Sequence, residues 1–170
     1  DLMLCGFQEY VAGEILDPWT ILGPADLLPA LYEAFLSKDI PLNLSKNQWI
    51  ETVRKKGSRF INKIKLMISE AGHIPDLAGA GNLIITISGG IRLVDINNIS
   101  SVSLDPSIHL DEKGYPVCDK SIEALSLIEE KILGKQVDME ADIYKWFLDP
   151  NRQKALKAKE ALFWHRAANS

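Results

Sequence analysis

Apolar residues recur at steps of three and four along one long stretch: Trp49, Ile50, Val53, Phe60, Ile61, Ile64, Met67 and Ile68. A 3.6-residue period gathers them into a single stripe, so the spacing predicts an amphipathic α-helix over 46–71, about seven turns long. Ser45 stands where a cap is needed, and Gln48 three residues later completes a capping-box spacing. Gly72 supplies the stop, because glycine takes the left-handed conformation that ends helices. Lys55, Lys56, Arg59, Lys63 and Lys65 mostly fill the other positions. Such a basic run suits phosphate or nucleic acid, but its commoner use is a solvated helix face.

Composition bounds what surrounds this helix. The chain has 170 residues, 46% apolar and 25% charged, which suits one packed domain or one lobe of a larger one. No apolar run approaches the ~20 residues needed to span a bilayer. The opening residues Asp1 to Cys5 have neither a basic start nor a cleavage pattern, so no secretory leader is expected. The net charge of −4 argues against a general nucleic-acid binder. Two cysteines, Cys5 and Cys118, make no disulfide framework and read as reduced thiols of a cytoplasmic protein. Without CxxC, HExxH or a close His/Cys cluster, no structural zinc site is expected.

The remaining elements follow from pattern and punctuation. Residues 7–11 alternate and read as a short strand that Gly13 ends, followed by loop chemistry to Pro24. A helix is predicted over 25–36, started or kinked by Pro29. Residues 83–87 and 91–96 read as two strands joined by Ser88-Gly89-Gly90, a hairpin signal. Residues 97–116 look irregular. Helices are predicted over 121–133, ended by Gly134, over 139–148, and over 151–168 behind the cap-and-proline pair Asp149-Pro150. The expected fold class is α+β and mostly helical, a single unit over 1–170, with its C-terminal helices within 119–170.

Chemistry concentrates between residues 73 and 98. The long helix feeds a loop carrying Asp76, Asn82 ends that loop, and Asp95 stands at the far end of the hairpin. A hairpin brings its two ends together, so Asn82 and Asp95 are expected at one edge, with Asp76 a loop away. Three oxygen-bearing side chains would converge there, a set suited to Mg²⁺ and a phosphate. Asp95 follows Leu93-Val94 and is expected to be buried, where a carboxylate must be paired or must titrate. Asp76 after Pro75 and Asn82 in a glycine-rich loop also have plain roles, as a turn residue and a holder of a left-handed conformation. His73 reads as a loop anchor. His109 and His165 have no evident partner, and Trp19, Trp49, Trp146 and Trp164 read as core or rim.

This ordered set resembles the catalytic lobe of the protein-kinase-like fold, including its small-molecule and aminoglycoside-kinase branches. There a catalytic loop supplies an aspartate and a metal-binding asparagine, and a second metal-binding aspartate follows a hairpin. The resemblance implies a kinase-like C-terminal lobe with 1–14 as its hinge-like strand, covering about residues 5 to 98. It further implies ATP and Mg²⁺ as cofactors, Asp76 as the catalytic residue at the acceptor hydroxyl, and Asn82 and Asp95 as metal ligands. Glu9, Tyr10 and Val11 would meet the adenine. The acceptor would be a small molecule or a protein, with neither nucleic acid nor membrane as partner.

The departures are specific. Two residues separate His73 from Asp76 where the family has one, and Asp76 to Asn82 is six positions, one more than in the family's loop. Asn97 stands where the family has glycine. A glycine-rich loop and a strand lysine would have to come from an N-terminal lobe or partner chain, so this chain by itself is expected to bind ATP weakly or not at all. Two other functions fit the same residues: a kinase-like binding or regulatory module without catalysis, and an unrelated helical interaction domain whose aspartates only make turns.

Overall fold

The computed structural model describes residues 10–38, 42–95 and 98–168. It is an α+β fold, about half helical, with two small antiparallel sheets. In chain order the elements are β1 (Glu14–Ile15), α1 (Leu27–Leu36), α2 (Lys46–Leu66), β2 (His73–Pro75), β3 (Leu83–Ile85) and β4 (Ile91–Leu93), then β5 (Ile99–Ser101), α3 (Val117–Leu133), α4 (Asp142–Phe147) and α5 (Pro150–Ala167).

The long helix forms as its sequence dictates. The Ser45 hydroxyl accepts from the Gln48 N–H, and the Gln48 side chain accepts in return from the Ser45 N–H. The α-helix ends at Leu66, and Met67–Ala71 continue it as a π-helical turn. Gly72 then takes φ 64° and its N–H donates to the Ile68 carbonyl, closing the helix where the sequence predicts. Trp49, Val53, Ile61 and Ile64 are buried. Gly57 lies among them because a side chain there would run into Ile132 of α3, so the glycine lets the two helices approach.

Those residues meet α3, which contributes Ile122, Leu125, Ile128 and Ile132, all essentially inaccessible. Tyr32 and Phe35 of α1 close over Trp49, each with its ring centroid 5.8 Å from the indole. Tyr144 and Phe147 of α4 complete the core.

β1, β3 and β4 form one antiparallel sheet, with β3 in the middle, and β2 pairs with β5 in the other. The hairpin is thus where the sequence puts it, with strands shortened to three residues each. Three short strands were not expected. Glu14–Ile15 pairs with β3 from within the predicted loop, and Gly13 allows this, since a side chain there would strike Ile85 and Ile84. β2 and β5 pair His73 with Ser101 and Pro75 with Ile99 across stretches read as irregular. Of the predicted strand over 7–11, residues 7–9 lie outside the described residues, while Tyr10 and Val11 are not in a strand.

α3 begins four residues earlier than its apolar period suggests, with Pro116 at its cap, and α4 is shorter than its pattern. α5 begins as read: Asp149 accepts from the N–H groups of Asn151 and Arg152, with Pro150 in the first turn. Among the described residues, no helix is long and apolar enough to cross a membrane.

Candidate functional site

The loop from Asp76 to Asn82 is held from four directions. The Asp76 N–H donates to the Asn98 carbonyl at 2.9 Å, carrying the β2–β5 pairing one residue further. Its carboxylate oxygen Oδ1 accepts from the N–H groups of Ala78 (2.9 Å) and Gly79 (3.0 Å), an aspartate-capped turn. The Asn82 side-chain amide donates to the Asp76 carbonyl at 2.9 Å, while the Asn82 N–H donates to the Gly79 carbonyl. Any side chain at Gly79 would collide with the Asn82 amide, so this glycine is a condition of the closed loop. Finally, the Leu77 N–H donates to the Ser121 hydroxyl of α3 at 3.1 Å, with both residues fully buried. Nothing local in the sequence marks Ser121, which lies 44 positions away.

The hairpin brings Asp95 to the same end. Leu83 pairs with Leu93, and the next bond outward runs from the Val94 N–H to the Asn82 carbonyl at 2.9 Å. Asn82 is buried at 8% exposure, but Asp95 is exposed, one residue past that bond. The expectation of a buried Asp95 is therefore corrected. The strand ends at Leu93, so the apolar residues before Asp95 do not carry it inside, and no desolvation argument applies.

A charged corner stands next to this loop. The Tyr115 hydroxyl donates to Glu160 at 3.3 Å, and its proton is held well above the ordinary tyrosine range by burial first, then by the charges of Glu160, Asp76 and Glu123. Lys120 is almost wholly buried, bridging Glu123 at 2.7 Å and Glu160 at 3.2 Å, with its ammonium 4.8 Å from the centre of the Trp19 ring. Tyr115 thus feels the charge of Asp76 from one side and is bonded to Glu160, the partner of Lys120, on the other.

Among the described residues, no group of three His, Cys, Asp or Glu side chains gathers to hold a metal. The donors at the hairpin end are one carboxylate and one amide. That set fits Mg²⁺, which keeps several waters and shares its shell with phosphate oxygens, and it fits neither zinc nor a protein-only calcium cage.

Other expected site residues fare differently. Glu9 lies outside the described residues, Tyr10 is exposed and Val11 half-buried, just before β1. His73 anchors its loop through the Ala71 carbonyl, at 2.6 Å from Nδ1. His109, expected to have no partner, sits 2.7 Å from Asp105. Trp49 is the core tryptophan, its indole N–H donating to the Ile87 carbonyl at 2.7 Å, whereas Trp19 and Trp146 are rim residues and Trp164 is exposed.

Comparisons with protein-family models, with curated proteins and with solved structures find no match.

Proposed function

We propose that this chain is the C-terminal lobe of a kinase-like phosphotransferase, working with an N-terminal lobe or partner chain that supplies the rest of a nucleotide cleft. The observation that carries this reading is the tie between Asn82 and both other site residues. Its side chain holds the Asp76 carbonyl, and its backbone carbonyl holds the residue before Asp95.

In this reading Asn82 and Asp95 would hold Mg²⁺, which when bound would supply charge stabilisation to a transferring phosphoryl group. Asp76 turns one oxygen into its own loop, leaving Oδ2 as the oxygen not committed to that turn. That oxygen orients the hydroxyl of a small-molecule or protein acceptor and accepts its proton. The resemblance assigns Glu9, Tyr10 and Val11 to the adenine, and of these Tyr10 and Val11 stand just before β1. The cytoplasm, where ATP and reduced thiols coexist, is the proposed compartment.

Mg-ATP turnover by the intact protein tests this. Asp95→Asn is expected to lower turnover at least a hundredfold while leaving the thermal unfolding midpoint nearly unchanged, since the side chain is exposed. Turnover equal to that of the unaltered protein would sink the reading.

A second reading rests on Asp76 itself. Its two bonds to Ala78 and Gly79 give it a complete structural role as a turn cap, which is what a binding or regulatory module without catalysis would retain. In that case Asp76→Ala costs stability, and no phosphoryl transfer is found in the unaltered protein.

A further inference from the structure

The basic run on α2 is not absorbed by the phosphotransferase reading, and the fold gives it a partner. The turn of the hairpin is docked on α2 by three residues one helical face apart. Trp49 donates to the Ile87 carbonyl, the Lys56 ammonium donates to the Ser88 carbonyl at 2.6 Å, and Val53 lies against Gly89 so closely that a side chain there would crowd it. This docking sets β4 alongside the next turns of the helix. Arg92 of β4 and Lys56, Arg59 and Lys63 of α2 then line one concave cleft of about 440 Å³, floored by Phe60 and Leu93.

Four cations share this cleft and no acid lines it. Among the described residues, the exposed Arg59, Lys63 and Arg92 enter no ion pair, so their charges are open to a ligand from solvent. Like charges held together in a chain of net charge −4 are a cost unless an anion offsets them. Two guanidinium groups add fork-shaped donors, which suit phosphate oxygens better than a carboxylate-bearing surface requires.

We propose that this cleft binds a small polyanion carrying two or more phosphate groups. Its volume is that of a small-ligand site, and its short walls, a helix on one side and the hairpin on the other, suit a compact ligand rather than a long strand. The apolar floor of Phe60 and Leu93 accommodates a carbon skeleton between the phosphates and the hairpin. Asp76, Asn82 and Asp95 do not line the cleft, and the proposal stands whether or not those residues transfer phosphate.

Calorimetric titration of the full chain with inorganic tripolyphosphate is the test, in EDTA so that no divalent cation recruits the loop of Asp76. Binding is expected to weaken at least tenfold in R59Q/R92Q, and to weaken between 50 and 300 mM salt. Lys154→Gln with Lys157→Gln on α5 is expected to leave it unchanged. Arg59 and Arg92 are both exposed, so the double variant should fold, and amide shifts of the unaltered chain, expected within 56–63 and 88–93, locate the ligand independently. Equal binding by R59Q/R92Q, loss of binding in the α5 variant, or shifts mapping elsewhere would overturn the proposal. So would sulfate binding as tightly as tripolyphosphate, or a single-stranded oligonucleotide binding more tightly.

Discussion

Asp105 ties together the loop between β5 and α3. The Ser103 hydroxyl donates to it at 2.7 Å, the Ser107 N–H donates to its other oxygen at 2.7 Å, and His109 lies 2.7 Å away. These bonds, with His109 contributing most, hold its carboxyl below the ordinary value of 3.8, at about 2. A carboxyl with a lowered pKa in the folded chain stabilises the fold above its unfolded pKa, and that contribution disappears as pH falls through the folded value. Asp105→Asn should therefore lower stability between pH 5 and 7, with the gap to the unaltered chain closing as pH approaches 2. Urea unfolding across that range checks it, and a gap independent of pH would contradict it. The sequence hides this pair because 97–116 reads as irregular, and a stretch without a period gives no register from which to tell that Asp105 and His109 close a loop around Pro106.

At the scale of elements, α5 is the least buried long helix, with Leu156 its single buried residue. What fastens it is a fork. Arg152 donates to both oxygens of Asp119, at 2.6 and 3.1 Å, and to the carbonyl of Asp105 at 3.0 Å, while its guanidinium lies 4.8 Å from the centre of the Phe147 ring. Asp119 is 1% exposed, so Arg152→Met would strand a carboxylate in the interior at a cost of about 3–5 kcal/mol. Changing Asp119 to Leu in the same chain should recover much of that loss, because the expensive element is the unpaired charge. Urea unfolding measures both, and a loss below about 1 kcal/mol in the single variant would show that α5 is held otherwise. The start of α5 is legible in Asp149-Pro150, as are the ends of α2 and α3 in Gly72 and Gly134, because caps are local. The strands β1, β2 and β5 are not. Two or three residues carry no alternation to read, β2 contains Pro75, and its partner lies 24 to 28 residues away.

Over the whole molecule the same division separates what the sequence reveals of the site from what it conceals. The Asn82 carbonyl is bonded to Val94, the neighbour of Asp95, because a hairpin is a short-range structure whose register follows from its turn, and that much is readable from Ser88-Gly89-Gly90. The anchoring of Leu77 by Ser121 and the burial of Lys120 between Glu123 and Glu160 depend on how α3 and α5 fold back, and no local pattern records it. Helix α3 thereby does two things: its inner face fills the core, and Ser121 in its second turn fixes the loop that bears Asp76.

The central claim, that Asn82 and Asp95 form one Mg²⁺-binding end of the hairpin, is tested most directly with Mn²⁺ as a paramagnetic stand-in. Amide resonances are recorded as Mn-ATP is added to the intact protein. The account predicts broadening centred on residues 81–82 and 94–95, lost in Asp95→Asn. Broadening centred elsewhere, or unchanged by that substitution, would contradict it.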